Sequence, residues 1–348
     1  MEIKEITRYL SEYNGEPLTF MEVCGTHTAA ISENGIPSLL SDKIRLISGP
    51  GCPVCVTASG YIDRLCELAL TENTCIVTFG DLMRVPSATT SLQNARSKGG
   101  RVQMVYSPFE IISLAEKEPD TTFIFAAVGF ETTTPVYALL LDKIIKNNIK
   151  NIKLLTALKT MPKAIESLCE MGNKIDGFIA PGHVSVITGA KAFEPLAEKY
   201  NLPFVVSGFK GEELIAAIYA LTKLNNQGKV LNLYKSAVTY NGNQKAKELV
   251  NKYLEPCDAY WRGIGKINGS GMAIKQEYIK YDAGSRDLQE DTMKNSACRC
   301  GEVITGFTSP NECPLFGKVC TPENPQGACM VSNEGSCFHY YINNRGQL

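Results

Sequence analysis

The chain contains 348 residues, of which 44% are hydrophobic and 20% are charged, and its formal net charge is −1. This length and composition are typical of a folded protein of two or three domains. The near-neutral charge argues against nucleic-acid binding, and the lack of an apolar run of about 18 residues argues against a membrane span. Residues 1–15 are polar and amphipathic, without the pattern of a signal or transit peptide.

The cysteines are numerous and unevenly placed. Thirteen thiols in a chain without an export signal predict a reducing, cytoplasmic location, where cysteines serve metals or redox chemistry more often than cross-links. Four lie in apolar or helical contexts and are expected to be buried small side chains: Cys66, Cys75, Cys169 and Cys257. Cys24, Cys52 and Cys55 instead lie in glycine-containing loops, and the other six lie between residues 298 and 337.

Strands alternate with helices as far as about residue 230. After an amphipathic opening helix, short apolar runs predict strands at 18–23, 44–47, 75–79, 102–106, 122–128, 152–158, 175–180 and 204–207. Helical periodicity falls between them, at 59–70, at 91–98, up to about residue 146 and at 212–224. Such alternation predicts an α/β fold with parallel sheets. We assign it to two Rossmann-like domains, residues 18–118 and 119–230.

The pattern changes after residue 231. A charged amphipathic helix is expected near 236–254, followed by a stretch that is rich in glycine, asparagine and charge. The segment after residue 297 lacks the apolar surface to order itself, so it is expected to depend on a metal or on disulfides. We therefore predict a third, irregular α+β domain over 231–348, joined by the N-terminal helix of residues 1–17.

Four unusual loops follow predicted strands, with the sequences CGTHT at 24–28, GPGCPVC at 49–55, GFETT at 129–133 and PGHVS at 181–185. Because parallel sheets bind ligands beyond the carboxyl ends of their strands, the cleft between the two halves is the expected active site. His27, Glu131 and His183 are candidate functional residues there. A structural imidazole is the alternative for each histidine, and helix capping is the alternative for the threonines that follow Glu131.

The GPGCPVC loop places Cys52 and Cys55 one helical turn apart, between a predicted strand and a helical pattern. A helix N-terminus at this point would favour a thiolate, so the pair would suit disulfide exchange or a soft metal. Gly49 and Gly51 would let the backbone turn sharply, and Pro53 would fit the first helical turn. The alternative is a pair of buried structural cysteines.

The C-terminal cysteines have irregular spacings and few nearby histidines, unlike the paired motifs of zinc ribbons. Four thiolates of this kind suit an iron–sulfur cluster, with an all-cysteine zinc site or plain disulfides as alternatives. Cys329, flanked by Met330 and Val331, is our first choice for a cysteine that is not a ligand. Four of the remaining five would then bind the cluster: Cys298, Cys300, Cys313, Cys320 and Cys337.

Together, the four loops, the WRGIG sequence at 261–265 and the tail through 330–332 resemble the family of the hydrogenase maturation factor HypD. These segments follow in the family's order over essentially the whole chain. The resemblance implies a scaffold that assembles the Fe(CN)2CO unit of [NiFe]-hydrogenase. It also implies a HypC-type chaperone and a HypE-type cyanide donor as partners, and a [4Fe-4S] cluster in the C-terminal domain.

The resemblance also implies roles for individual residues. Cys24 would bind the iron of the Fe(CN)2CO unit together with a cysteine of the chaperone, since low-spin iron of this kind suits thiolates. Cys52 and Cys55 would form a redox dithiol that receives electrons from the cluster, much as in ferredoxin:thioredoxin reductase. His27 would be a second iron ligand, a base for Cys24 or a hydrogen-bond donor to bound cyanide.

Two rival functions belong to other classes. A stand-alone iron–sulfur disulfide reductase would reduce a disulfide partner without carrying extra iron. A structural zinc protein would contain an inert CPxC sequence. A metal count separates the zinc protein from the others, and infrared bands of cyanide and CO separate the scaffold from the reductase.

Overall fold

The computed structural model describes residues 2–87, 89–286, 288 and 297–344. Its strands are β1 (Leu18–Glu22), β2 (Ile44–Ser48), β3 (Thr74–Thr78), β4 (Val102–Met104), β5 (Thr122–Gly129), β6 (Ile152–Lys159), β7 (Gly177–Ala180), β8 (Phe204–Val206), β9 (Val230–Asn232), β10 (Leu254–Trp261) and β11 (Gly265–Ile274). Its α-helices are α1 (Ile3–Ser11), α2 (Gly25–Glu33), α3 (Ser59–Ala69), α4 (Leu92–Ser97), α5 (Glu110–Lys117), α6 (Thr134–Lys146), α7 (Met161–Glu170), α8 (Gly182–Thr188), α9 (Glu194–Tyr200), α10 (Gly211–Lys223), α11 (Gln244–Tyr253), α12 (Cys300–Ile304) and α13 (Ser336–Asn343).

The strands that the structure describes form two sheets. The first sheet has the order β2-β1-β7-β8-β9, and all of its strands run parallel. The second has the order β10-β11-β6-β5-β3-β4, in which β3 to β6 are parallel and the β10–β11 hairpin adds antiparallel strands beside β6. Central strands such as β5 are almost continuously apolar because helices cover both faces. The predicted α/β class is therefore confirmed.

Strand pairing crosses the predicted boundary at 118/119. β1 and β2 pair with β7 to β9, whereas β3 and β4 pair with β5 and β6. The segment after 230 also contributes to both sheets, through β9 and the β10–β11 hairpin. Local periodicity identifies β1 to β8 but misses β9 to β11. It does not identify the neighbours of a strand either, because pairing depends on how distant apolar faces fit together. The boundary between residues 118 and 119 therefore does not separate the two sheets.

The largest core cluster among the described residues joins both sheets to the C-terminal segment. It contains Met21 of β1, Phe130 after β5 and Trp261 at the end of β10, together with the GPGCPVC cysteines and the six tail cysteines. The tail itself is mostly irregular, with only the short helices α12 and α13. No helix in the described part of the chain is long and apolar enough to cross a membrane.

Candidate functional site

A cavity of about 270 Å³ opens where the loops after five strands meet. These loops follow β1, β2, β3, β5 and β7, and the tail closes one side. The cavity therefore lies at the carboxyl ends of strands from both sheets, where ligands of parallel sheets bind. Among its walls are Cys24, Thr26, Pro53, Asp81, Phe130, Thr132, His183 and Glu334.

Cys24 is the N-cap residue of α2, with extended backbone angles. Its side chain makes no capping hydrogen bond, although the backbone N–H groups of Thr26 and His27 lie near its sulfur. Burial raises the pKa of the Cys24 thiol to about 12, and the nearby carboxyls of Glu22 and Glu334 add to this effect. Without a bound cation, Cys24 is therefore a protonated thiol at neutral pH.

Glu22 ties the Cys24 loop to its surroundings. Its carboxylate accepts a 2.9 Å hydrogen bond from the backbone N–H of Cys24 and a 2.5 Å bond from the Thr28 hydroxyl. The Ser48 side chain is a third partner, and burial raises the pKa of Glu22 to about 7. Sequence reasoning missed this residue, although a carboxyl that ends an otherwise apolar strand was a usable signal.

His27 is fully buried, and its Nε2 lies 3.0 Å from the carbonyl oxygen of Gly208. That carbonyl can only accept, so the hydrogen is on Nε2 and the lone pair is on Nδ1. Nδ1 has no hydrogen-bond partner within the described residues. Burial lowers the pKa of His27 to about 4, so the ring is neutral. A neutral His27 can accept a hydrogen bond or bind a metal through Nδ1, but it cannot donate through that atom.

Phe209 packs against both candidate histidines. Its ring centroid lies 4.8 Å from that of His27 and 4.1 Å from that of His183. His183 lines the cavity together with Cys24, and burial lowers its pKa. The structure therefore brings Cys24, His27 and His183 to one end of the first sheet. The sequence analysis did not single out Phe209.

The GPGCPVC cysteines do not lie at a helix N-terminus, so that prediction is wrong. α3 begins only at Ser59, and residues 53–56 form a turn. The backbone carbonyls of Val56 and Thr57 accept hydrogen bonds from the distant Arg262 instead of from a following helical turn. Pro53 is accordingly outside a helix, and no helix dipole acts on the two thiols.

The two thiols contact each other inside the core. Both are buried, and the backbone N–H of Cys55 donates to the sulfur of Cys52 over 3.2 Å. Burial raises the pKa of Cys55 well above its ordinary value, and the hydrogen bond with Cys52 adds to the shift. Cys55 is therefore a protonated thiol when the pair is reduced.

Gly51 brings the two cysteine loops together. The backbone N–H of Gly25 donates to the carbonyl of Gly51 over 3.1 Å. A Cβ atom added at Gly51 would lie 2.4–2.6 Å from backbone atoms of Cys24. Only glycine permits this approach between the Cys24 loop and the turn that holds Cys52.

All six tail cysteines are buried, and all thirteen cysteines of the chain are free. The Cys329 thiol donates to the sulfur of Cys337 over 3.0 Å, and Cys300 and Cys329 also share a hydrogen bond. Cys298 interacts electrostatically with three other tail thiols, those of Cys300, Cys313 and Cys320. The tail thiols therefore form one connected group, which includes Cys329.

The residue types in this group are those that an iron–sulfur cluster takes as ligands. No three His, Cys, Asp or Glu side chains within the described ranges converge closely enough to bind one metal ion. Buried thiols with cysteine neighbours and no histidine among them match that donor set.

The tail thiols approach the GPGCPVC pair. The Cys55 thiol donates to the carbonyl of Ala328 over 3.7 Å, and Cys329 and Cys300 both raise the pKa of Cys55. The WRGIG segment supports this contact, because a Cβ added at Gly263 would lie 2.2 Å from the backbone of Gly301.

Glu131 lies outside the walls of the cavity. Its Oε1 accepts a 2.9 Å hydrogen bond from the backbone N–H of Met161, and its buried Oε2 has no partner in the described part of the chain. Burial raises the pKa of Glu131 to about 7. The hydroxyls of Thr133 and Thr134 both donate to the carbonyl of Phe130, and Thr133, the N-cap residue of α6, makes no side-chain capping hydrogen bond.

Comparison with known proteins decides the family. A family model described as "HypD: Hydrogenase formation hypA family" matches residues 2–344. The chain belongs to the HypD family. The hydrogenase maturation factor HypD of Azotobacter vinelandii is 40% identical over 337 residues, which cover 93% of this chain and 89% of that protein. The HypD factor of Escherichia coli is 38% identical over 345 residues, which cover 97% of this chain and 92% of that protein. The HypD factor of Cupriavidus necator is 39% identical over 340 residues, which cover 94% of this chain and 90% of that protein.

The HypD match confirms the predicted family, and the chain is thus a hydrogenase maturation factor. The matched residues include every loop described above, so the cavity, the GPGCPVC turn and the tail thiols all lie within the family region. The sequence analysis did not propose Glu22, Phe209 or Glu334 for the site. Glu334 is the least predictable of these, because it lies in the irregular tail.

Proposed function

We propose that this HypD-family chain is the scaffold on which the Fe(CN)2CO unit of [NiFe]-hydrogenase is assembled, together with a HypC-type chaperone and a HypE-type cyanide donor. One observation supports this proposal most. The Cys24 thiol lies at the N-terminus of α2 in a cavity whose wall also contains the turn of a buried CPxC pair. A cysteine that could bind a soft metal and the turn of the CPxC pair therefore share one cavity, which supports the proposal.

Cys24 is the proposed ligand for the iron of this cargo. Its thiol is neutral before iron arrives because burial opposes the thiolate. Iron replaces the proton, and the backbone N–H groups of Thr26 and His27 then stabilise the sulfur-bound charge. The chaperone supplies a second cysteine, and the free Nδ1 lone pair of His27 is available as an acceptor beside the same loop.

Cys52 and Cys55 are the proposed redox pair. When both thiols lose their protons and join as a disulfide, the pair releases two electrons and two protons, and the reverse step restores the dithiol. Burial protects the pair from solvent oxidants, and the Cys55 thiol donates a hydrogen bond to the carbonyl of Ala328 in the tail. The tail is therefore the direction from which electrons would arrive.

Four tail cysteines would bind the [4Fe-4S] cluster, drawn from Cys298, Cys300, Cys313, Cys320 and Cys337. The hydrogen bond with Cys329 raises the pKa of Cys300 but acts to lower that of Cys337, which favours Cys300 as the fifth thiol that is not a ligand. When bound, such a cluster supplies electrons one at a time. Cys300 and Cys329 would remain as thiols between the ligands and the CPxC pair.

An infrared spectrum of the anaerobically purified chain, alone and with its HypC-type partner, tests the proposal. We expect stretching bands of cyanide and CO in the complex, and we expect Cys24→Ala to remove them. The same variant should keep its far-ultraviolet circular dichroism and its iron–sulfur absorbance, because Cys24 is outside the tail. A Cys24→Ala protein that retained the bands would place the iron elsewhere.

Replacing Cys320 with serine should bleach the iron–sulfur absorbance and lower the thermal stability of the tail. Cys320 is buried, and the backbone N–H of Gln326 points at its sulfur over 3.4 Å. Cys257→Ser is the matched control, because Cys257 lies in β10, outside the tail. A Cys320→Ser protein with full absorbance would remove Cys320 from the ligand set.

The second candidate function is an iron–sulfur-dependent disulfide reductase. The contact between Cys55 and the tail favours it, because such an enzyme needs a dithiol beside its cluster. It would reduce a disulfide substrate repeatedly and show no cyanide or CO bands. Turnover of a disulfide by the Cys24→Ala variant, with no bands in any sample, would support this function over the scaffold.

A further inference from the structure

One loop of the tail reaches from the cysteine group into the cargo cavity. The loop between Cys329 and Cys337 returns on itself, so that their sulfurs lie 3.0 Å apart. Glu334 lies near its tip, against Gly25 of the Cys24 loop. A Cβ added at Gly25 would lie 2.5 Å from the Cβ of Glu334 and 2.7 Å from its carbonyl oxygen. Glu334 therefore packs tightly against the Cys24 loop, and this contact holds Glu334 beside Cys24.

Glu334 adds a second carboxyl group to this cavity. The walls contain the carboxyls of Asp81 and Glu334, and no lysine or arginine is among the described residues that line them. The side chains that line the cavity therefore favour a cationic ligand.

We propose that Glu334 is an electrostatic positioning residue of the cargo site, which attracts iron(II) at the start of assembly and destabilises the finished unit at its end. The inference rests on the proposed function. An iron(II) ion held by two thiolates is neutral as a group, and each cyanide then adds one negative charge. A fixed carboxylate nearby therefore changes from attractive to repulsive as the unit is completed.

The test compares Glu334→Gln with Glu116→Gln, a matched control on the exposed face of α5. Iron(II) binding to the chain–chaperone complex is measured anaerobically at mildly alkaline pH. Binding by the Cys24→Ala complex is subtracted to remove any contribution of the tail. We expect Glu334→Gln to weaken Cys24-dependent binding on the order of tenfold, the scale of one partly screened charge interaction. Glu116→Gln should match the unsubstituted protein.

The finished unit provides the opposite readout. After loading, the cyanide and CO bands are followed while an excess of a small thiol competes for the unit. We expect slower loss of the bands from Glu334→Gln and a shift of the cyanide bands to higher wavenumber, because a negative charge has been replaced by an amide. Glu334→Asp keeps the charge, so its iron(II) affinity, band loss and cyanide band positions should match those of the unsubstituted protein. A purely structural role of the longer glutamate side chain would instead predict that Glu334→Asp behaves like Glu334→Gln.

Asp81→Asn provides a second variant at an exposed position, so the test does not depend on the folding of the tail. Like Glu334→Gln, it should weaken iron(II) binding and slow the loss of the bands, but by smaller amounts. Equal affinity and release in Glu334→Gln, Asp81→Asn and Glu116→Gln would overturn the inference while leaving the scaffold intact. Absence of Cys24-dependent iron in the unsubstituted complex would instead overturn the proposed function, and the inference with it.

Discussion

Replacing Gly51 with alanine should abolish loading of the cargo site, although residue 51 carries no functional group. The new Cβ would lie 2.4 Å from the backbone nitrogen of Cys24 and 2.6 Å from its Cα. Backbone atoms cannot rotate away as a side chain can, so the two loops must separate. Overpacking of this kind costs about 1–3 kcal/mol, and separation also breaks the hydrogen bond from Gly25 to Gly51. Urea unfolding measures the loss of stability, and the cyanide and CO bands measure the loss of loading.

Gly80→Ala is the matched control for this experiment. Gly80 also follows a strand of the parallel sheets, but a Cβ added there meets nothing within 4 Å. The control should therefore keep its free energy of unfolding and its full load of bands. A Gly51→Ala protein with the same stability and bands as Gly80→Ala would show that close approach of the two loops is not required.

The positions of the elements were largely predictable because local periodicity determines them. The apolar run at 122–128 predicts a strand, and β5 spans Thr122–Gly129. The helix after it is also predictable, since Pro135 suits a first turn and lysines occupy the last turn of α6. The neighbours of each strand were not predictable, because the pairing of β1 with β7 depends on contacts between segments about 150 residues apart.

The candidate site was predictable only in part. The rule that ligands bind beyond the carboxyl ends of strands placed Cys24 and His183 near one cleft, and both line the same cavity. The turn at Cys52 was wrongly assigned to a helix start because the partner of its carbonyls, Arg262, is about 200 residues away. Glu334 could not be inferred at all, since no periodicity in the tail indicates which loop it contacts.

Arg262→Ala should cause the largest loss of stability among the variants considered. The residue is buried, its Nε donates to the carbonyl of Thr57 over 2.7 Å, and one terminal nitrogen donates to the carbonyl of Pro86 over 2.9 Å. Each charge-assisted bond of this kind contributes about 1.5–3 kcal/mol. Losing both should lower the free energy of unfolding by about 3–6 kcal/mol, which urea unfolding measures.

The loss should also affect the redox pair, because Arg262 connects the turn after Cys55 with the loop at Pro86. Without the hydrogen bond from the guanidinium to the Thr57 carbonyl, the turn that holds both buried thiols should open more often. Alkylation of Cys52 and Cys55, measured by mass spectrometry, should therefore be faster in Arg262→Ala. Arg262→Lys keeps the charge but cannot reach both carbonyls, so it should lose about half as much stability. Equal loss of stability in Arg262→Lys and Arg262→Ala would show that the guanidinium hydrogen bonds, rather than the charge, hold the turn. If neither variant lost stability, the contacts within the loop itself would be what holds the turn at Cys52.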